Sequence, residues 1–322
     1  MTDKMVTLLA PGGTDRFRIE DQPELRPGAG EILIRHHAIG MNFVDIYHRK
    51  GIYPLPAYPA ILGVEAAGMV AAVGPGVENL RQGDRVAYAA SVGAYAARRL
   101  LPAERAVRLP DDVSDRMAAA SMLKGMTAYM LLRRTYRVGA GTTVLVHAAA
   151  GGLGSILVPL AKQLGATVLG TAGSEEKAAL ARGYGADHVI VGRNADIVAK
   201  VGELTGGRGV DVAYDGIGGD TLAKTIRCLG RFGTAVTIGQ AGGPIPPISA
   251  ADLAPGRSLT HASIMAFSAD PANYREAAEA AVAALKSGIG AAIAGEYPLE
   301  QTAEAQRSLE DGGTAGALLL IP

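Results

Sequence analysis

The chain has 322 residues, 48% of them hydrophobic, and its 31 basic and 31 acidic side chains leave no formal net charge. That balance argues against a strongly basic nucleic-acid binder or a polybasic membrane-surface protein, because both need a positive field to gather phosphates or anionic lipids. The length lies beyond the roughly 250–300 residues at which one core usually stops growing, so two domains are expected.

Glycine is in excess at 43 residues, with no three-residue period, which excludes a collagen and marks many turns and close backbone approaches in a globular fold. A single cysteine, Cys228, excludes an intramolecular disulfide and a Cys-rich zinc lobe, and it fits a reducing, cytoplasmic setting. The start, Met1-Thr2-Asp3-Lys4, carries charge in place of the apolar stretch of a secretory signal.

In chain order, the first third reads as an irregular β domain. Short apolar runs such as Glu31-Ile32-Leu33-Ile34-Arg35 and Ala67-Gly68-Met69-Val70-Ala71-Ala72-Val73-Gly74 are punctuated by Pro and Gly. From Thr142 to about Ser263, strand-like runs alternate with helical patterns: 143–147, 168–172, 188–191, 210–214, 235–239 and 259–263. Six strands separated by helices imply an α/β fold with a doubly wound parallel sheet. After Pro271 a helix repeats Ala278, Ala281, Val282 and Leu285 at helical spacing, and the strand-like Ala317-Leu318-Leu319-Leu320-Ile321 is placed back in the first domain. The uncharged stretch 138–161 is long enough to cross a bilayer, but its glycines and Pro159 divide it into a buried strand, a turn and a buried helix, and no membrane insertion is expected.

That turn is Ala148-Ala149-Ala150-Gly151-Gly152-Leu153-Gly154. It follows the dinucleotide fingerprint as Ala149-x-Gly151-x-x-Gly154, with alanine for the first glycine. Gly151 lets backbone approach a pyrophosphate, Gly154 lets the helix sit close to the sheet, and the helix N-terminus faces the phosphates. Some 20 residues on, an NAD site usually carries an acid for the ribose hydroxyls. Here Gly170-Thr171-Ala172-Gly173-Ser174 has none, Ser174 is a good N-cap, and Lys177 and Arg193 are cations placed to meet a 2′-phosphate. NADPH is the cofactor this implies. A solvated Lys177 is the competing reading, and Glu175 and Glu176 would repel a phosphate if turned inward.

Two features of the first third carry a family resemblance. Gly63-Val64-Glu65-Ala66-Ala67-Gly68 resembles the Gly-His-Glu-x-x-Gly signature of zinc alcohol dehydrogenases, with Val64 at the histidine ligand position. With one cysteine in the chain, the ligand count argues against a zinc site. Ala38-Ile39-Gly40-Met41-Asn42-Phe43-Val44-Asp45-Ile46-Tyr47, followed by Gly51-Ile52-Tyr53-Pro54, resembles the zinc-free quinone oxidoreductases of the medium-chain dehydrogenase/reductase superfamily, the zeta-crystallin group. The resemblance runs the whole length, through Ser121-Met122-Leu123-Lys124-Gly125-Met126-Thr127-Ala128-Tyr129 to Leu319-Leu320-Ile321-Pro322. The chain departs from the pattern at Thr142, at Pro159 in place of glutamine, and at Gly192, where relatives often carry tyrosine.

The resemblance implies an NADPH-dependent quinone reductase with a GroES-like β domain, residues 1–123 with 267–322, and a Rossmann NADPH domain, residues 124–266. It implies that Asn42, Asp45, Tyr47 and Tyr53 line a cleft near the nicotinamide, with Thr127, Gln240 and Ala241 close to the cofactor and Asn42 serving both. Tyr47 and Tyr53 would donate hydrogen bonds to quinone oxygens, with Asn42 and Asp45 orienting them; half-buried packing is the plainer role for either tyrosine. His147 reads as a satisfied core residue, His36-His37 lacks metal-ligand spacing, Cys228 reads as packing, and Lys124 as a substrate or cofactor contact or a solvated lysine. Reduction of an enone or 2-alkenal double bond uses the same hydride geometry. A non-enzymatic nucleotide- or RNA-binding role is the alternative of another class, disfavoured by the neutral charge. A homodimer paired through the edge strand near Leu259 to Ile264 completes the expectation.

Overall fold

A computed structural model describes residues 3–322, so Met1 and Thr2 of the charged start lie outside the described residues. The chain divides into two compact units: one runs to Met126 and resumes with Met265–Pro322, the other is Thr127–Ile264.

In the first unit, Lys4–Leu8 pairs with Phe17–Asp21 and Ala60–Ile61 in a three-stranded sheet. A seven-stranded sheet is built around the long strand Glu31–Met41, which pairs with Glu65–Val73, Arg98–Pro102 and Ala317–Ile321. The terminal strand does return here, with Leu318 opposite Met41 and Leu320 opposite Ile39. Ile32, Ile34, Val70, Val86, Leu101 and Leu320 fill one core between the strands. The strand Glu65–Val73 is interrupted by no turn at Gly68: a Cβ there would lie 2.8 Å from His36 Cα, so this glycine exists for close strand approach. Helix α1 (Phe43–Arg49) leaves the end of the long strand, and α2 (Asp115–Tyr129) buries Ala118, Ala119, Ala120 and Met122.

The second unit is a six-stranded parallel sheet in the order His188–Val191, Thr167–Ala172, Thr143–Val146, Val210–Asp215, Leu229–Thr237, Ser258–His261. In chain rank this is 3-2-1-4-5-6, the doubly wound order expected, and ligands of such sheets bind outside the carboxyl ends of the strands. Helix α3 (Gly154–Gln163) follows the first strand and continues through Pro159, and α4 (Glu175–Gly183) follows the second. The fifth strand starts six residues before the expected Ala235. Gly230 and Gly233 lie inside it, where added Cβ atoms would meet Arg208 O at 2.6 Å and Val210 O at 2.8 Å. Among the described residues no helix is long and apolar enough to cross a membrane.

Candidate active site

The glycine loop is held by its own carbonyls. A Cβ on Gly154 would stand 2.7 Å from Ala148 O and 2.6 Å from the Ala149 carbonyl carbon, so only glycine lets α3 begin here. Gly151 is looser, 3.1 Å from Ala148 O, and its amide donates to that same oxygen at 2.8 Å. Alanine at the first fingerprint position is accommodated from the neighbouring strand: Ala149 is buried, and a Cβ on Gly170 would approach its methyl to 2.8 Å. The missing glycine of the motif has thus moved one strand over. Gly152 and Leu153 complete the turn, with Ser155 Oγ donating to Gly152 O at 3.0 Å. This bare, amide-rich turn at a helix start fits a pyrophosphate.

At the end of the second strand Ser174 caps α4 and accepts from the Lys177 amide at 3.4 Å. Arg193 lies over Gly173, its Nε 3.6 Å from where a Cβ would stand. Gly192, at φ +110, bends the chain to bring Arg193 there, in a conformation that tyrosine rarely adopts. Glu175 is exposed and faces Arg182 at 3.6 Å. Glu176 is exposed too, and its bond from the Ser174 hydroxyl holds its carboxyl below the usual range. No acid stands on the strand end, so the corner fits a 2′-phosphate rather than a ribose diol.

After the fourth and fifth strands two loops meet. Ala241 N donates to Gly216 O at 3.2 Å and Gly242 N to Ile217 O at 2.7 Å, while Gly218 at φ +66 leaves space for Gln240, whose Cα a Cβ would approach to 2.7 Å. Thr127 is half-buried in α2.

In the first unit, Asn42 begins α1. Its amide N–H donates to Asp45 Oδ2 at 2.9 Å, and Tyr95 donates its hydroxyl to the same oxygen at 2.9 Å. Asp45 is fully buried, and burial, opposed by these bonds, pushes its carboxyl up to about 7. An inaccessible carboxyl does not touch a substrate: Asp45 supports α1 from inside, which corrects the expectation that it lines a cleft. Asn42 is held by charge. Its Nδ2 donates to Glu65 Oε1 at 2.7 Å and its Oδ1 accepts from Lys124 Nζ at 2.9 Å, while Lys124 and Glu65 pair at 2.7 Å. Glu65 Oε2 accepts the Leu123 amide at 2.7 Å. Lys124 is therefore buried, 8% exposed, and the solvated reading of it is overturned. Glu65 was missed in the sequence, although its retention beside Val64 was the available signal; a carboxylate kept without its metal-ligand neighbour needs a cation. Tyr47 is buried and Tyr53 half-buried, their rings edge-on at 5.2 Å, and burial raises the Tyr53 phenol above its ordinary range, which keeps it a donor.

The remaining candidates have structural partners. His36 is buried against Ala96 O at 2.7 Å and Tyr88 at 3.0 Å, His37 pairs with Asp115 at 2.6 Å, and Cys228 is buried at the end of its helix with its thiol pushed up to about 12 by burial. His147 is satisfied on both ring nitrogens, by Thr171 at 3.2 Å and Thr225 at 2.9 Å.

Comparison with known proteins agrees with this geometry. An alcohol dehydrogenase GroES-like domain model matches residues 28–111, and a zinc-binding dehydrogenase model matches residues 152–284. Val64, which stands where the Gly-His-Glu-x-x-Gly signature has its histidine, is buried. A quinone oxidoreductase of Salmonella typhimurium is 42% identical over 317 residues, 97% of this chain and 97% of that protein. A 2-haloacrylate reductase of a Burkholderia species is 41% identical over 321 residues, 97% of this chain and 96% of that protein. The crystal structure of Escherichia coli quinone oxidoreductase complexed with NADPH matches with a TM-score of 0.94 at 38% identity, covering 99% of this chain and 100% of that one. Alike in sequence over nearly its full length and in fold, the chain belongs to the zinc-free quinone oxidoreductases of the medium-chain dehydrogenase/reductase superfamily.

Proposed function

We propose that this protein is an NADPH-dependent quinone reductase. The observation that carries the reading is the second unit's loop and corner together: a turn that admits only glycine at 154, and a strand end with Ser174, Lys177 and Arg193 but no acid. Bound there, NADPH supplies a hydride, and the protein's own task is alignment, exclusion of water and stabilisation of the oxyanion that develops. The loop Gly151, Gly152, Leu153, Gly154 holds the pyrophosphate by backbone amides. Gly173, Ser174, Lys177 and Arg193 take the 2′-phosphate. Thr127, Gln240, Ala241 and Asn42 orient the nicotinamide end, the Asn42 amide being unable to flip because Lys124 only donates and the Glu65 carboxylate only accepts. Tyr47 and Tyr53 donate to the quinone oxygens, Tyr53 as a phenol that burial keeps protonated.

Steady-state turnover of 1,4-benzoquinone with NADPH and with NADH tests this; a preference for NADH removes the corner assignment. Tyr47→Phe is expected to lower kcat/KM for the quinone roughly tenfold, the worth of one hydrogen bond to a charged oxygen, and unchanged turnover discards its donor role. The identity with a 2-haloacrylate reductase favours a second substrate class, activated carbon–carbon double bonds. Assaying 2-chloroacrylate beside benzoquinone decides between them. The chain is further proposed to act in the cytoplasm, without nucleic acid, as a homodimer joined at the edge strand Ser258–His261, whose outer side has no strand partner among the described residues; a monomer mass in light scattering at micromolar concentration contradicts the dimer.

A further inference from the structure

The glycine loop begins with a strained residue. Ala148 has φ +49, the left-handed region that an L-residue adopts only where its surroundings hold it. Its amide donates to Thr171 Oγ1 at 3.2 Å, and the next amide, of Ala149, donates to Thr171 O at 3.0 Å, so one residue of the second strand grips both. Thr171 Oγ1 also meets His147 Nδ1 at 3.2 Å; His147 Nε2 meets Thr225 Oγ1 at 2.9 Å; and Thr225 Oγ1 donates to Asp215 Oδ2 at 2.7 Å. Asp215 Oδ1 accepts the amides of Ile217 at 2.8 Å and Gly218 at 2.9 Å.

Donor counting gives this chain one direction. Thr225 has a single hydroxyl proton, and of its two acceptors the Asp215 carboxylate is nearer than Thr221 O at 2.9 Å. With that proton donated toward Asp215, Thr225 oxygen accepts from His147 Nε2–H. His147 Nδ1 is then the lone pair that accepts the Thr171 hydroxyl, and Thr171 oxygen is left to accept the Ala148 amide. Burial lowers the His147 pKa, against the pull of Asp215, in keeping with a neutral ring.

We propose that Thr171 and His147 are positioning residues for coenzyme binding, which hold Ala148 in its left-handed conformation and so fix the pyrophosphate loop in register with the loop at Ile217 and Gly218. The proposal rests on the coenzyme reading above. It is tested by calorimetric titration of the full chain with NADPH and, separately, NADH, for Thr171→Val, Thr171→Ser and Ala148→Gly. Both nucleotides share the pyrophosphate, so Thr171→Val is expected to raise both Kd values by one common factor, roughly tenfold. Thr171→Ser, which keeps the hydroxyl, restores binding to within about twofold, and the quinone KM at saturating coenzyme stays unchanged. In the Ala148→Gly background, where glycine takes a positive φ unaided, Thr171→Val costs markedly less. An unchanged Kd in Thr171→Val, a loss confined to NADPH, or an undiminished loss in the glycine background overturns the proposal alone. Failure of the parent chain to bind either nucleotide removes the coenzyme reading and the proposal with it. If Thr171→Val does not fold, His147→Gln carries the same comparison, with the same common factor expected and an unchanged Kd overturning it.

Discussion

The two units hold their site residues by different physics. In the first, Asn42 is fixed by buried charge: a lysine and a glutamate, 8% and 0% exposed, grip the two ends of its amide. In the second, the loop is fixed by shape and by directed hydrogen bonds, with carbonyls closing on Gly154 and a threonine and a histidine under Ala148. A buried charge is costly to leave unpaired, whereas a shaped loop fails on one added carbon. The difference suits the ligands proposed: a small neutral ring needs one amide held in orientation, while a pyrophosphate needs many backbone amides in one curve.

Lys124→Met tests the charged side and has the largest expected effect. It leaves the buried Glu65 carboxylate without its cation, with only the Asn42 and Leu123 amides as partners, and breaking such a pair costs about 3–5 kcal/mol, read as a lower urea midpoint; a loss under about 1 kcal/mol would mean the pair is not structural. The double variant Lys124→Met, Glu65→Gln is expected to recover most of the stability but not the coenzyme orientation, seen as a lowered kcat.

Gly154→Ala tests the shaped side. The new methyl has no space beside Ala148 O, and an overpacking strain of about 2–3 kcal/mol corresponds to NADPH binding weakened on the order of a hundredfold. Titration at fixed temperature, with circular dichroism to confirm the fold, checks it.

The charged unit also titrates, in two opposing directions. His36, whose pKa burial lowers to about 3, is neutral in the fold; the unfolded chain takes up the proton first, so stability is lost as pH falls from about 6.5 toward 3. Asp45, raised to about 7, behaves in reverse: the unfolded chain loses its proton first, and stability is lost as pH rises from about 4 to 7. Across pH 4–6 the two roughly cancel. Asp45→Asn removes one arm, and its unfolding free energy from urea titration is expected to fall with acidification by up to about 1.4 kcal/mol per pH unit more steeply than the parent's. Parallel slopes would show that Asp45 does not titrate in this range.

Lys177→Ala has the smallest expected effect. A partly exposed cation on a phosphate is screened, so NADPH affinity is expected to drop about fivefold, roughly 1 kcal/mol, with NADH unchanged. Equal loss of both would move Lys177 to the pyrophosphate.

The doubly wound sheet was legible because its signals are local: six apolar runs with helices between them, and a glycine turn after the first. The return of the terminal strand was legible from its run of leucines. The early start of the fifth strand was not. Gly230 and Gly233 fall before the fifth run as read from the sequence, and only the backbone oxygens of Arg208 and Val210, 2.6 and 2.8 Å from an absent Cβ, explain them. Lys124 and Glu65 are 59 residues apart in sequence, and nothing local marks either as the other's partner.

By itself the sequence determined the fold class, the glycine loop, the lack of an acid at the second strand's end and the valine where a zinc ligand would be, because each depends on residue type within a short window. Only the tertiary structure decided that Asp45 serves the helix cap, that Lys124 is a buried counter-ion, and that His147 belongs to a chain of donors under Ala148. Burial and hydrogen-bond direction are properties of neighbours brought together from distant parts of the chain, and one residue's identity does not carry them.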